Sequence, residues 1–121
     1  MDEKKELVGV IIWTQNFDIM SKFYLNTLRL EPKTIKNDFI NFQWGKMKLS
    51  LAVHKDVRGR SKDKNRIMLN FEVKNIQVVY EQLLTRKVEF IRKPEDEGWG
   101  KVSSFLDPDE NILQLLEIYQ N

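Results

Sequence analysis

The side chains best suited to chemistry are few, and two of them stand at the ends of predicted strands. Histidine is the usual choice for proton transfer near neutral pH, and His54 is the only histidine in the chain. Glu72 ends another strand and could act as a base if it is buried. No carboxylate stands at a sequence spacing from His54 that would indicate a catalytic pair, so the alternative for His54 is an exposed residue at the end of its strand. The alternative for Glu72 is a solvated carboxylate at a strand end.

Composition excludes several other kinds of site. The chain has no cysteine, which rules out disulfides, thiolate metal sites and cysteine nucleophiles, and fits a cytoplasmic location. Twenty basic residues stand against 18 acidic ones, a balance that does not favour nucleic acid or an anionic membrane as a partner. The apolar run at residues 7–13 is too short for a signal peptide or a membrane span of about 20 residues.

One basic stretch raises a nucleic-acid hypothesis of its own. It contains Arg58, Arg60, Lys62, Lys64 and Arg66. Aspartates interrupt the stretch, no aromatic residue is interleaved, and the acidic run at 95–97 is expected to face it from another loop or subunit. We therefore predict a solvated loop and no nucleic-acid partner.

Alternation and turn residues divide the first half of the chain into five elements. Residues 7–13 form a short apolar run typical of a strand, and residues 19–30 carry apolar side chains at helical spacing before Pro32. Residues 39–44 and 48–53 alternate on either side of a Gly45-Lys46 turn, which favours an antiparallel pair. With a short strand near residues 31–35, this half reads βαβββ.

The second half repeats that order after residues 55–66, which are predicted as a linker. Strands are predicted at 67–73, 88–93, 102–106 and 112–119, a helix at 75–86, a loop at 94–100 and a turn at 107–111. Aligning the strand-to-helix corners at Asn16 and Asn75 (75 − 16 = 59) superposes apolar positions of both halves. We predict one α+β domain over residues 1–121, with pseudo-repeat modules at 7–54 and 67–119. Each helix would cover the outside of a curved mixed sheet, leaving a concave inner face as a pocket.

Three local patterns resemble the vicinal-oxygen-chelate superfamily of glyoxalases, bleomycin-resistance proteins and extradiol dioxygenases. They are the Phe23-Tyr24 pair followed by Leu30, the FEVKNI corner at 71–76, and GWGKVSSFLDPDENILQLLE at 98–117. The last is the most specific, and together they cover essentially the whole chain. The resemblance implies the glyoxalase/bleomycin-resistance fold. It also implies a homodimer, because members usually complete their pockets between or across subunits.

The resemblance further implies where a metal would be held. Enzymes of the superfamily bind a divalent ion through His, Gln or Glu side chains, one from each of four strands. The matching positions are Gly9, Ser50, Met68 and Gln114, and only Gln114 offers a suitable donor. We therefore expect no metal and no other cofactor, which removes the support for a metal-dependent lyase or dioxygenase activity.

Period-two alternation predicts the side chains that line the inner face. The lining is mostly apolar with a few polar groups: Gly9, Ile11, Trp13, Lys48, Ser50, Ala52, Met68, Asn70, Glu72, Ile112, Gln114 and Leu116. Trp99 joins them from a loop that commonly borders the pocket in the superfamily. Such a lining suits a small organic molecule held by apolar burial and oriented by Ser50, Asn70 and Gln114.

Three functional hypotheses follow. The favoured one is a metal-free binding protein that sequesters an antibiotic or another organic ligand, as bleomycin-resistance-type members do. The second is a glyoxalase- or dioxygenase-type enzyme with an atypical or partner-completed site, and the third is a structural or regulatory binding module. Trp13, Trp44 and Trp99 are candidate stacking residues, with packing in the core or at a subunit interface as the alternative.

Two acidic residues near the last strand carry predictions of their own. Glu110 stands where the superfamily's turn commonly has glycine, so Asn111 or an altered turn is expected to accommodate the bend. Glu117 has the opposite parity to Gln114 and is predicted as a solvated strand end.

Overall fold

The computed structural model describes residues 3–120 of the 121-residue chain. Its elements are β1 (Gly9–Thr14), α1 (Phe17–Lys22), a π-helical segment (Phe23–Thr27), β2 (Pro32–Lys36), β3 (Phe39–Trp44), β4 (Met47–Val53), β5 (Met68–Glu72), α2 (Ile76–Thr85), β6 (Phe90–Asp96), β7 (Gly100–Leu106) and β8 (Ile112–Ile118). The chain divides into two compact units between Gly59 and Arg60. Neither helix within residues 3–120 is long and apolar enough to cross a membrane.

Each unit contains one four-stranded mixed sheet of the same topology. The strand order is β1-β4-β3-β2 in the first unit and β5-β8-β7-β6 in the second, with the first strand parallel to the last in both. Gly9 pairs with Lys48 and Met68 pairs with Ile112, so the 59-residue register of the sequence repeat relates β1 to β5 (68 − 9 = 59), whereas β4 and β8 are related by 64 residues (112 − 48 = 64). The predicted α+β fold class is confirmed. The predicted limits of the modules and the linker stay a prediction.

The core of the first unit lies between its helix and one face of its sheet. Met20 and Tyr24 are fully buried, and the Tyr24 ring stacks on Phe42 with centroids 6.4 Å apart. Ile40 and Leu51 lie on the same side and are almost completely buried. Full burial of side chains of this size contributes about 1.5–3 kcal/mol each, so this face is the main source of stability in the unit.

The second unit builds its core from aromatic contacts on the helix side of its sheet. Tyr80 of α2 meets Phe90 edge to face at 4.6 Å, and Phe90 lies 5.3 Å from Phe105. Leu83 and Leu113 are buried there as well. In both units we call the sheet face opposite the helix the inner face.

Two predicted boundaries are wrong for identifiable reasons. The first helix ends near Leu28 and not at residue 30, because Arg29 adopts a left-handed conformation (φ 56°) that terminates the π-helical turn. The predicted loop at 94–100 is partly strand, since β6 continues through Pro94 to Asp96. Proline is tolerated there because β6 is an edge strand, where no neighbour needs its missing N–H.

The basic stretch pairs with a different acidic group from the predicted one. Arg60 and Lys64 lie 2.9 Å and 3.3 Å from the carboxylate of Glu110, whereas Glu95 and Glu97 pair with Arg92. The expectation that the basic stretch faces residues 95–97 is therefore wrong within the chain. Of the two expectations for the turn, a bend at Asn111 or an altered turn, the structure shows neither a positive φ at Asn111 nor a shifted bend: Glu110 itself adopts the glycine-like conformation (φ 65°).

Gly100 marks the closest approach of β7 and β8 and gives a stability prediction. A Cβ atom at this position would lie 2.4 Å from the carbonyl oxygen of Glu117 and 3.1 Å from Cα of Ile118. Both are backbone atoms of β8, so Gly100→Ala must displace the strand pair and should lower the free energy of unfolding by about 1–3 kcal/mol. Urea denaturation measures this change, with Lys93→Ala on the exposed side of β6 as the neutral control. Equal stability of the two variants would refute the predicted clash.

Candidate functional site

The inner face of the first sheet is organised in rungs of paired residues. Ile11 of β1 lies beside Ser50 of β4, and Ser50 lies opposite Asn41 of β3. The next rung joins Trp13 to Ala52 in the same way. Alternation assigns these side chains to the inner face because Ile40 and Phe42, which flank Asn41, are buried on the helix side. The predicted grouping of Ile11, Trp13, Ser50 and Ala52 on one face thus agrees with the strand register.

Polar and apolar groups on this face differ in accessibility. Ile11 and Trp13 are 50% and 42% exposed, although both are large and apolar. Ser50 and Asn41 are each only 7% exposed, and Asn41 Oδ1 accepts no hydrogen bond within residues 3–120. The face therefore combines accessible apolar surface with a buried acceptor that lacks a protein partner.

The inner face of the second sheet carries the equivalent rung with its polar pair complete. Asn70 lies beside Gln114, and Gln114 lies opposite Ser104. The amide Nε2 of Gln114 donates to Ser104 Oγ at 3.0 Å. Asn70 is exposed and Met68 is 36% exposed, while Ile112 is almost fully buried. Of the predicted lining on this sheet, Met68, Asn70 and Glu72 are the exposed members.

His54 and Trp13 form an aromatic pair at one end of the first sheet. Their rings meet edge to face with centroids 5.1 Å apart. His54 Nδ1 accepts a hydrogen bond from the backbone N–H of Asp56 at 3.1 Å. A neutral imidazole whose Nδ1 is an acceptor carries its proton on Nε2, so His54 presents a donor and not a base through that nitrogen.

Trp44 lies on the other face of the same sheet. Trp44 pairs with Met47, which is adjacent to the inner-face residue Lys48 and therefore points to the opposite face. Trp44 also stands three positions after Asn41 in β3, so the two side chains lie on opposite faces of the sheet. The hypothesis that Trp44 stacks on an inner-face ligand is therefore wrong.

A network of hydrogen bonds holds the loop that carries Trp99. The carboxylate of Asp96 accepts from Gly98 N–H and from the Tyr119 hydroxyl, each at 2.7 Å, and Tyr119 N–H donates to the carbonyl of Trp99 at 3.0 Å. The bond from Gly98, followed by the bond from Tyr119, lowers the pKa of Asp96, and the same carboxylate raises the pKa of Tyr119. Trp99 is 52% exposed, so a fixed loop presents an accessible indole.

Glu72 borders a cleft of about 670 Å³ at the end of the parallel β5–β8 pair. The cleft is lined by Glu72, Val73, Lys74, Glu117, Ile118, Tyr119 and Gln120. Glu117 Oε1 accepts a hydrogen bond of 2.8 Å from the backbone N–H of Ile76, the first residue of α2. The prediction of a free, solvated Glu117 is therefore wrong, because the carboxylate satisfies an N–H that the helix leaves unpaired.

Comparison with known proteins identifies the family. A family model described as a glyoxalase-like domain matches residues 7–119. The chain belongs to the glyoxalase-like domain family. The Bacillus subtilis (strain 168) protein YraH, whose own name describes it as uncharacterized, is 26% identical, covering 93% of this chain and 98% of that protein. The predicted superfamily resemblance is confirmed.

Solved structures support the same fold. A glyoxalase/bleomycin resistance protein/dioxygenase family enzyme from Burkholderia phytofirmans PsJN superposes with a TM-score of 0.74 at 17% identity, covering 95% of this chain and 100% of that chain. A glyoxalase/bleomycin resistance protein/dioxygenase from Nocardioides has a TM-score of 0.75 at 17% identity, covering 100% and 88%. At these identities the likeness establishes the fold alone.

The family's metal-ligand positions do not fit a divalent ion in this chain. Gly9 has no side chain, and a Cβ there would already lie 3.2 Å from the carbonyl oxygen of Lys48. Ser50 is a buried neutral hydroxyl and Met68 offers a soft thioether, so Oε1 of Gln114, whose Nε2 donates to Ser104, is the one suitable donor among the four positions. Residues 3–120 contain no cluster of three His, Cys, Asp or Glu side chains that could hold a metal elsewhere.

Sequence reasoning named the accessible apolar residues and the buried Ser50 but did not single out Asn41 or Ser104. Both residues belong to the third strand of their half, whereas the family's metal-ligand positions lie on the first and last strands. A signal was present in β3, where Asn41 stands between two large apolar residues in FINFQW. The Asp96–Tyr119 bond spans 23 residues and has no local signature.

The Trp99 loop should respond to pH through Asp96 and Tyr119. Because the pKa of Asp96 is lowered, its bonds should persist below the ordinary aspartate range and be lost only as the pH falls through that lowered value. Because the pKa of Tyr119 is raised, the contact should persist above the ordinary tyrosine range and be lost as the pH rises further. The carboxyl ¹³C resonance of Asp96 reports the acidic transition, and the ring ¹³Cζ resonance of Tyr119 reports the alkaline one.

A variant separates the two bonds to Asp96. Tyr119→Phe should move the acidic transition towards the ordinary aspartate range without reaching it, since the larger contribution from Gly98 N–H remains. An unchanged transition in Tyr119→Phe, or an ordinary one in the unmodified chain, would contradict the network.

His54 gives a prediction about a single proton. Its hydrogen bond from Asp56 N–H requires the neutral ring to be protonated at Nε2. Long-range ¹H–¹⁵N spectra of the imidazole distinguish the two tautomers directly. Predominance of the Nδ1–H form would show that this bond is absent and that Nε2 is available as a base.

Proposed function

We propose that this chain binds a small organic molecule on the inner faces of its sheets and does so without a catalytic metal. The observation that carries the proposal is the replacement of the family's metal ligands by Gly9, Ser50 and Met68 on faces that retain accessible apolar side chains. A ligand there would be held by burial of hydrophobic surface and oriented by a few amides and hydroxyls.

The exposed aromatic and aliphatic groups support this function. Ile11 and Trp13 lie next to each other on the inner face of β1, and each keeps about half of its surface accessible. Covering about 100 Å² of such surface contributes about 2.5 kcal/mol, enough to matter for a ligand of modest size. The edge-to-face arrangement with His54 leaves the Trp13 ring as a candidate stacking surface with a polar neighbour.

For the biological role, we take the metal-free members of the superfamily as the guide. We propose that the bound molecule is an antibiotic or a related organic compound, that binding sequesters it in the cytoplasm, and that the chain acts as a homodimer. An enzyme with an atypical site is the second candidate, and His54 and Glu72 are the residues that would carry it. The hydrogen bond at His54 Nδ1 favours a donor over a general base, which weighs against that candidate.

A metal assay combined with a ligand screen tests the proposal. The purified chain is incubated with nickel, zinc, iron or manganese, desalted and assayed for bound metal, and we expect less than stoichiometric retention. Thermal unfolding is then followed with a panel of aromatic antibiotics, cationic glycopeptides and aldehyde–thiol adducts. A compound at 100 times its Kd should add about 2.7 kcal/mol to the free energy of unfolding.

Two tryptophans provide a matched control for the binding face. Trp13 and Trp44 belong to the same sheet and are 42% and 47% exposed, but only Trp13 lies on the inner face. Trp13→Ala should abolish the ligand-induced stabilisation, whereas Trp44→Ala should preserve it. Stoichiometric metal, no stabilisation by any compound, or equal losses in both variants would each count against the proposed function.

A further inference from the structure

Asn41 has the features of a recognition group that the fold does not use. Asn41 is only 7% exposed, and its Oδ1 atom is buried without a hydrogen-bond partner in the described part of the chain. A buried acceptor left unpaired costs about 1–3 kcal/mol, so such groups are rare in folded proteins. Alternation places Asn41 on the inner face, opposite Ser50 and beside Thr34 of β2.

The second unit shows what a completed pair looks like at the same place. The register relates Ser50 to Gln114 and Asn41 to Ser104, with amide and hydroxyl exchanged between the strands. Gln114 reaches Ser104 and donates to it at 3.0 Å. Asparagine is one methylene shorter than glutamine, and Asn41 Oδ1 receives no hydrogen bond from Ser50. Among residues 3–120, the buried acceptor without a partner therefore belongs to the first unit.

We infer that the inner face of the first sheet recognises an uncharged organic molecule through a hydroxyl or amide N–H that donates to Asn41 Oδ1. This inference rests on the proposed function and adds the class of ligand. Because Oδ1 is buried, the surrounding side chains must shift slightly to admit the donor, and the hydrogen bond then offsets that cost. Ile11 and Trp13 supply the apolar surface beside it.

The charges on this face select against a cationic donor. Lys48 pairs with Gly9 and Gln43, and Lys36 pairs with Phe39, so both lysines share the inner face with Asn41. The strand positions on this face of the first sheet include no aspartate or glutamate. An ammonium group bound on this face would share it with two lysines and with no strand carboxylate, which disfavours a second positive charge.

Three probes on one scaffold test the ligand class. Naphthalene-2-methanol has a hydroxyl donor, its methyl ether has none, and 2-naphthylmethylamine carries a cationic donor. Titrations followed by ¹H–¹⁵N spectra should show the alcohol binding about tenfold more tightly than either analogue, as expected for one buried hydrogen bond. The side-chain amide signals of Asn41 should shift with the alcohol and remain unchanged with the ether.

Asn41→Leu separates recognition from a structural role. Leucine has a similar shape and removes the unpaired acceptor, so the variant should be at least as stable to urea as the unmodified chain while losing the preference for the alcohol. Gln114→Leu is the matched control in the second unit: it breaks a formed hydrogen bond, so it should lower stability and keep the preference.

The outcomes distinguish this inference from the proposed function. Equal affinity for the alcohol and the ether, with both lost in Trp13→Ala, would overturn the role of Asn41 and leave metal-free binding intact. A marked loss of stability in Asn41→Leu would likewise assign Asn41 to the structure and overturn the inference. Failure of all three probes to perturb any inner-face signal would overturn the inference and the proposed function together.

Discussion

Parallel pairing between the first and last strand of each unit constrains the rest of the structure. Parallel neighbours cannot be joined by a tight turn, so the chain must cross over, and α1 or α2 lies within each crossover. The helix then covers one face of the sheet. Alternation sends Leu49 and Leu51, or Leu113 and Leu115, to that covered face and frees the other face for side chains that do not hold the core together.

The same constraint explains why the two inner faces can differ while the two sheets remain alike. A rung is fixed by backbone pairing, so substitutions on the inner face change chemistry without changing register. Asn41 with Ser50, and Ser104 with Gln114, occupy equivalent rungs, yet only the second pair closes on itself. The side chains on the rung, and not the backbone pairing, decide whether it is closed by its own hydrogen bond or retains an unpaired acceptor. Duplication of a unit thus supplies two surfaces that can specialise separately.

The fold could be predicted from the sequence because its main signals are local. The alternation of apolar and polar residues on either side of Gly45 predicted the bounds of β3 and β4 to within one residue. The strand-to-helix corners at Asn16 and Asn75 predicted the internal repeat. Prediction failed where the deciding contact is distant or depends on sheet position. Pro94 looks like a strand end unless β6 is known to be an edge, and Glu117 looks solvated because its partner, Ile76 N–H, is 41 residues away.

The acidic residues near β8 support the fold through hydrogen bonds to the backbone and to side chains. Asp107 accepts hydrogen bonds from the backbone of Asp109 and Asn111 in the turn that leads into β8, and Glu117 closes the start of α2. Asp96 fixes the neighbouring loop through Tyr119. The hydrogen bonds of these carboxylates stabilise a turn, a helix end and a loop. The geometry of the strands and loops around β8 is therefore stabilised by contacts within the chain. Under the proposed function, recognition on the inner face would depend on apolar surface and neutral amides, with specificity from shape and from single hydrogen bonds.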